Sequence, residues 1–142
     1  MRFWDSSALV SLALEEPRSA RCRDMVRHDQ SIVVWALTRT EMVSAVRRKQ
    51  RQAEIDDAAT KTALRRIDLL SAHWTEVDAL VLVRERAERL LATHALHAAD
   101  ALQLAAALIL VDERPRRVQF VTADETLAQS AGKEGFEAIV PE

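Results

Sequence analysis

Short runs of β-forming residues alternate with longer helical segments, and this alternation limits the possible folds more than any other feature of the chain. The strand candidates are RFW (2–4), IVVW (32–35), HWTEV (73–77), VQFVT (118–122) and EAIV (137–140). Strands separated by helical crossovers pair in parallel and carry helices on the faces of the sheet. The sequence therefore predicts an α/β fold, a three-layer α/β/α sandwich with a central parallel five-stranded sheet.

About seven helices fill the intervals between these strands, as apolar periodicity and boundary residues indicate. The expected spans are 6–16, 18–28, 39–52, 54–71, 79–93, 97–114 and 123–133. Asp78 and Thr93 are candidate N-caps for the fifth and sixth helices, and Pro115 is the expected stop of the sixth. Gly132 and Gly135 are candidate C-caps for the last helix.

Length, charge and cysteine content narrow the class of protein. A chain of 142 residues, 49% hydrophobic and 30% charged, predicts one soluble globular domain over residues 1–142. A net charge of -2 argues against a nonspecific polyanion binder, and Cys22, the only cysteine, excludes an intrachain disulfide or a cysteine zinc cage. The longest apolar run, 104–111, is too short to span a bilayer, so we expect a cytoplasmic protein with no membrane association.

Acidic residues follow several of the predicted strands. Parallel α/β sheets bind their ligands beyond the carboxyl ends of the strands. Asp5 directly follows the first strand, Asp124 lies just past the fourth, and Glu41 lies six residues beyond the second. A fourth acid, Asp100, interrupts the apolar helix HAADALQLAAAL, where an ionised carboxylate requires a compensating cation or several hydrogen-bond donors.

Three of these acids also have a structural interpretation. Asp5 and Asp124 are suitable N-terminal residues for the helices that follow, and the T-x-x-E patterns at 38–41 and 122–125 resemble capping boxes. Asp100 is harder to explain in this way, because helical spacing places it on the same stripe as Leu104, Ala107 and Val111, which we expect to face the sheet.

Convergence of the four acids would favour one kind of chemistry. Carboxylates crowded into a cleft repel one another, and their pKa values rise. Mg²⁺ or Mn²⁺, which prefer oxygen ligands, relieve that repulsion. Two such ions can stabilise both the attacking and the leaving oxygen in a phosphoryl displacement.

The segments that contain these acids resemble a known family. FWDSSALVSLALEEP, LTRTEMVSAVRR, HAADALQLAAAL and FVTADETLAQSAGKEGFEAIVP are similar to PIN-domain ribonucleases, in particular to VapC-type toxins of type II toxin–antitoxin systems. The resemblance implies Mg²⁺- or Mn²⁺-dependent hydrolysis of RNA by a metal-activated water, a homodimer, and a cognate antitoxin that blocks the cleft. It also implies that the acidic quartet (Asp5, Glu41, Asp100 and Asp124) is catalytic and holds the metal, with Ser6 and Thr122 in support.

Three basic or aromatic side chains near the quartet allow more than one interpretation. Arg48 lies two helical turns from Glu41, where it could reach a bound phosphate. His97, one turn before Asp100, is either an RNA contact or a surface histidine, with the second interpretation favoured. His94 and His97 together would suggest a transition-metal site, but a ligand set made otherwise of carboxylates argues against it.

Other functions stay open at this point. A receiver-like phosphoacceptor would carry paired acids after the first strand, whereas Asp5 is followed by Ser6 and Ser7. A haloacid-dehalogenase-like phosphatase would need a second aspartate at position 7. A degenerate PIN domain that only binds RNA or protein is the remaining alternative, and the presence of all four acids argues against it.

Overall fold

The computed structural model describes residues 1–142 and contains a five-stranded sheet and seven α-helices. The strands are β1 (Arg2–Trp4), β2 (Ile32–Trp35), β3 (Thr75–Val77), β4 (Gln119–Val121) and β5 (Glu137–Ile139). The helices are α1 (Ser6–Leu9), α2 (Ser19–His28), α3 (Thr38–Arg51), α4 (Asp57–Ser71), α5 (Leu80–Thr93), α6 (Ala98–Leu110) and α7 (Glu125–Lys133). A 3₁₀ turn, Val10–Leu12, extends α1.

All neighbouring strands pair in parallel, in the order β3-β2-β1-β4-β5. From the central strand β1, the chain adds β2 and β3 on one side of the sheet and then β4 and β5 on the other side. The topological switch point therefore lies between the carboxyl ends of β1 and β4, which is where ligands bind in sheets of this kind.

Side chains of the central strands alternate between two apolar cores, one on each face of the sheet. In β1, Phe3 packs with the core that includes α5, α6 and α7, while Trp4 packs with the core that includes α1 to α4. Phe120 of β4 joins the first core, where its ring stacks on Phe3 with centroids 5.4 Å apart. Helices on both faces of a parallel sheet confirm the predicted three-layer α/β/α sandwich.

Helix α6 buries a nearly continuous apolar surface against the sheet and α5. Ala101, Leu104 and the run 105–108 are almost fully buried, and the small alanines allow the neighbouring elements to approach closely. The expected stripe is only partly buried, since Val111 lies beyond the end of the helix and Asp100 is partly exposed in its first turn.

Several predicted helix boundaries are wrong. The first helix does not continue to residue 16, because it ends in the 3₁₀ turn Val10–Leu12. Helix α4 begins at Asp57 and not at residue 54, because the Asp56 carboxylate caps the backbone N–H of Ala59 at 2.8 Å. Helix α6 ends at Leu110, well before Pro115, since Asp112 and Glu113 adopt left-handed conformations that stop it.

The predicted caps have mixed outcomes. Asp78 and Thr93 do not cap their helices: the residues at those positions are Ala79 and His97, and neither makes a side-chain cap hydrogen bond. Gly135 follows the C-cap of α7 with φ 101°, the backbone conformation for which glycine is favoured, whereas Gly132 lies inside the helix.

None of the helices, taken alone, has the length and apolar composition of a membrane-spanning segment. Helices α5 and α6 reach the required length and composition only as a pair, and they bend by 118° at the break between them.

Candidate functional site

Asp5 lies at the centre of the site, immediately after β1. Its backbone N–H donates to the carbonyl of Val121 at 2.9 Å, which continues the pairing of β1 with β4. Its carboxylate caps α1, and Oδ2 accepts from the backbone N–H of Ser7 at 3.3 Å and from the Thr122 hydroxyl at 2.8 Å. The Ser7 hydroxyl also donates to Oδ2, so the capping role predicted for Asp5 is confirmed.

The hydroxyls of Ser7 and Thr122 connect Asp5 to the turn between β4 and α7. Ser7 Oγ accepts from the backbone N–H of Ala123 at 2.9 Å, and Thr122 Oγ1 accepts from that of Asp124 at 3.0 Å. Each hydroxyl thus accepts from the turn while it donates to the same carboxylate oxygen. These bonds fix Oδ2 of Asp5, and none of these donors reaches Oδ1.

Glu41 reaches the site from the first turn of α3. Ser6 Oγ donates to Oε2 at 3.0 Å, and Gln103 Nε2 donates to Oε1 at 3.0 Å. The predicted capping box at 38–41 is wrong: Leu37 is the N-cap, and the Thr38 hydroxyl contacts the Gln103 amide instead. Glu41 is therefore held toward the sheet by neutral donors from α1 and α6.

Asp100 and Asp124 reach the site from the first residues of two other helices. Asp100 lies in the first turn of α6, in the favourable field of the helix amino end. Asp124 is the N-cap of α7, where Oδ1 accepts from the backbone N–H of Leu127 at 3.0 Å. Its structural role is confirmed, but the capping box expected at 122–125 is wrong, because Thr122 bonds Asp5 and precedes the cap.

The pKa values of three members of the acidic quartet are raised, and repulsion between carboxylates contributes at two of them, Glu41 and Asp100. Burial is the main cause for Asp5, Glu41 and Asp100. The negative charge of Asp5 raises the pKa of both Glu41 and Asp100, and that of Asp124 adds to the effect on Asp100. Donors from Ser7 and Thr122 partly offset the rise at Asp5. The four carboxylates consequently share one electrostatic environment at the carboxyl edge of the sheet.

The acids of the quartet are close enough to influence one another's pKa values, but they are not arranged to coordinate a metal ion. The structure contains no group of three or more carboxylate, imidazole or thiol side chains arranged to hold a metal ion. The carboxylates, which repel one another, accept hydrogen bonds from neutral donors instead, as Glu41 does from Ser6 and Gln103. The donor chemistry still fits a hard divalent cation, because Mg²⁺ keeps several waters and requires only one or two protein carboxylates.

A cleft of about 650 Å³ opens beside Glu41, between α3 and the segment that joins α1 to α2. Three basic side chains line it, and together they form its cationic wall: Arg18, Arg48 and Lys49. Lys49 pairs with Glu54 at 3.3 Å, whereas Arg18 and Arg48 form no salt bridge. Arg48 therefore lines the same cleft as Glu41, and its guanidinium forms no ion pair.

The two histidines before α6 have different environments. His94 Nε2 bonds Glu134 Oε1 at 2.8 Å, and its side chain is only 7% exposed, so it ties the segment before α6 to the end of α7. His97 is exposed at the N-cap position of α6, and its electrostatic interaction with Asp100 lowers the pKa of that carboxyl. They do not form a shared metal site.

Sequence reasoning missed several side chains around the quartet. These are Ser7, Gln103, Arg18 and Lys49. Gln103 was the most accessible to prediction, because it is the only polar residue besides Asp100 in the helical run from 98 to 110, and it lies three positions after Asp100. Arg18 gave no such signal, since only the tertiary fold brings it beside α3.

Comparison with protein families matches residues 2–121 to the PIN domain. The matched region runs from β1 to β4 and includes Asp5, Glu41 and Asp100, while Asp124 lies just beyond it. A search of curated proteins finds no match to the chain. PIN domains are generally metal-dependent nucleases, in agreement with the acidic edge of this sheet. Because the match covers most of the chain and the sheet is entirely parallel, the protein belongs to the PIN-domain family.

Proposed function

We propose that this PIN-domain protein is a Mg²⁺- or Mn²⁺-dependent endoribonuclease that hydrolyses RNA phosphodiester bonds. One observation carries the proposal: carboxylates with raised pKa values share the switch point of a parallel sheet beside a cleft with a cationic wall. The carboxylates suit a divalent ion, and the basic side chains suit the phosphates of a nucleic acid.

The acidic quartet would hold the divalent ion in this proposal. A bound ion of this kind activates water and neutralises charge that develops on the phosphate. Asp5 would offer Oδ1, since its other oxygen is fixed by Ser7 and Thr122. Asp124 would offer Oδ2, because Oδ1 caps α7.

The surrounding residues would position the acids and the substrate. Ser6 donates to Glu41, and Thr122 donates to Asp5, so each supports a carboxylate. Arg48 would contact a backbone phosphate of RNA that passes through the cleft, because a planar guanidinium is suited to bidentate binding of phosphate. His97, exposed at the start of α6, would face RNA that extends past Asp100.

Cleavage of single-stranded RNA with Mg²⁺ or Mn²⁺ tests this proposal directly. We expect Asp5→Ala and Asp100→Asn to abolish metal-dependent cleavage in folded protein. Asp78→Asn is the matched control, because Asp78 is an exposed acid that follows β3 and lies outside the quartet. Undiminished cleavage by the folded quartet variants would refute the quartet as the nuclease site, and RNA binding without any cleavage by the wild type would favour the binding-only PIN domain.

We further propose that the nuclease acts in the cytoplasm as the toxin of a VapC-type toxin–antitoxin pair and forms a homodimer. The support for this role is the sequence resemblance together with the acidic quartet, which would attract an antitoxin arginine because guanidinium groups bind carboxylates in a bidentate manner. Exposed apolar side chains at 80–82, at the start of α5, offer surface for protein contacts. Arrest of growth on expression, relieved by a small protein that co-purifies, is the expected result; harmless expression of active enzyme would contradict the toxin role.

A further inference from the structure

Gln103 is a fully buried polar side chain in a helix whose other buried residues are apolar. Its exposure is 0%, and Leu104 and the alanines at 101 and 105–107 surround it along α6. A buried amide is costly unless its polar atoms find partners, so its position requires an explanation.

The Gln103 amide bonds two residues of α3. Nε2 donates to Glu41 Oε1 at 3.0 Å and to Thr38 Oγ1 at 3.1 Å, and the Thr38 hydroxyl also lies 3.4 Å from Oε1 of Gln103. A carboxylate only accepts hydrogen bonds, so Glu41 dictates which end of the amide faces it. Thr38 is itself fully buried, and it completes the set of partners that holds the amide in place.

We propose that Gln103 is a positioning residue that aims the Glu41 carboxylate at the divalent ion of the site. This inference rests on the proposed function, because it requires that the acidic quartet bind a divalent ion. It gives Gln103 no contact with RNA and no role other than orienting Glu41. Ser6 donates to Oε2 and Gln103 donates to Oε1, so the plane of the carboxylate is fixed from both sides.

The position of Gln103 on α6 gives its bond to Glu41 a second consequence. Asp100 lies three residues earlier on the same helix, so one helix carries both an acid of the quartet and the donor that orients another. Any shift of α6 moves these two groups together relative to α3. Residues that orient metal ligands in this way typically change metal affinity or activity about 10- to 100-fold when they are replaced.

The test compares Gln103→Met with Thr38→Val. Methionine has a similar volume but no donor, so Glu41 loses the hydrogen bond to Oε1 while the core stays filled. Valine removes the other partner of the amide and leaves the hydrogen bond between Gln103 and Glu41 possible. Mn²⁺ affinity is measured by calorimetry and by electron paramagnetic resonance of free Mn²⁺, beside thermal unfolding and RNA cleavage.

We expect Gln103→Met to weaken Mn²⁺ binding about 10-fold or more, with cleavage reduced in parallel at limiting Mn²⁺. Thr38→Val should bind Mn²⁺ within a small factor of the wild type. Gln103→Asn, which keeps an amide but is too short to reach Glu41, should behave like Gln103→Met and serves if methionine impairs folding.

Two results would overturn the inference separately from the proposed function. Wild-type Mn²⁺ affinity in folded Gln103→Met or Gln103→Asn protein would show that Gln103 does not position Glu41, although the nuclease would stand. Equal losses of Mn²⁺ affinity in Thr38→Val and Gln103→Met would show that the role of the Gln103 amide is to join α3 to α6. If the wild-type protein binds no Mn²⁺, the inference and the metal-dependent nuclease both fail.

Discussion

At the scale of single residues, the main observation is a set of carboxylates that are unfavourable where they lie. Asp5 is only 3% exposed, and its burial raises its pKa although three donors surround one oxygen. Asp100 lies partly buried on a largely apolar helix, where burial and two negative neighbours raise its pKa. Residues that reduce stability in the free protein and cluster at one edge are typical of functional sites.

Asp100→Asn should make the metal-free protein more stable while it removes metal-dependent cleavage. Neutral asparagine is not repelled by Asp5 and Asp124. The free energy of unfolding should therefore rise by about 1 kcal/mol, and the unfolding temperature by about 3 °C. Thermal unfolding at neutral pH without metal measures it, with Asp78→Asn as the control that should change little. A clear loss of stability in Asp100→Asn would contradict the repulsion.

At the scale of secondary structure elements, each acid of the quartet lies at the amino end of a different helix. Asp5 and Asp124 are the N-caps of α1 and α7, and Glu41 and Asp100 lie in the first turns of α3 and α6. The amino ends of helices carry partial positive charge, which stabilises nearby carboxylates. Four helix starts at one edge of a parallel sheet thus reduce the cost of gathering four acids there.

The double role of Asp124 can be separated by two substitutions. Asparagine caps helices about as well as aspartate, so Asp124→Asn should retain stability, whereas Asp124→Ala should lose about 1 kcal/mol. Both variants should lose metal-dependent cleavage, since neither keeps the carboxylate. Denaturant unfolding and the RNA assay measure the two effects; retained cleavage in Asp124→Asn would exclude its charge from the site.

The cationic wall of the cleft should contribute to RNA binding through charge. We expect Arg18→Gln combined with Arg48→Gln to weaken binding of a short single-stranded RNA and to reduce its salt dependence. The slope of log affinity against log salt should fall by about 0.7 for each phosphate that the variant no longer neutralises. Fluorescence anisotropy in the inactive Asp100→Asn background measures this slope.

Arg84→Gln combined with Arg89→Gln provides the matched control for the cleft variant. Both arginines are exposed on α5 and form no salt bridge, and neither lines the cleft. If this control lowers affinity and salt dependence as much as the cleft variant does, RNA binding depends on net charge and not on the cationic wall.

At the scale of the whole molecule, the raised pKa values predict how stability changes with pH. Carboxyls in the unfolded chain ionise near pH 4, whereas Asp5, Glu41 and Asp100 release their protons at higher pH in the folded protein. The folded state therefore binds more protons, and the contribution of these groups to stability falls as pH rises from about 4 through their folded pKa values. At neutral pH this contribution is lost unless a cation compensates the charge.

Saturating Mn²⁺ should accordingly raise the unfolding temperature of the wild type more at about pH 7.5 than at about pH 4.5, where protons compete for the carboxylates. Without metal, the stability advantage of Asp100→Asn over the wild type should grow across the same interval. Thermal unfolding with and without Mn²⁺ at the two values measures both effects. A Mn²⁺ effect of equal size in Asp100→Asn would place the ion elsewhere.

Much of the architecture and the identity of the acids follow from the sequence. The alternation of strands with helices predicted the parallel five-stranded sandwich, because only crossover connections fit between such strands. Strand β2 was predicted with its observed bounds, since four consecutive apolar residues follow the polar segment HDQS. The acids were recognised as a set because they follow strands or interrupt an apolar helix, both of which are local patterns.

Contacts between distant elements were decided only by the tertiary structure. The Thr38 hydroxyl bonds Gln103, 65 positions later, where local sequence predicted a capping box. Thr122 bonds Asp5 across the sheet, and Arg18 reaches the cleft beside Glu41 only through the packing of α1 and α3. A side chain chooses between a local cap and a distant partner according to burial and charge, and those are set when the helices pack on the sheet.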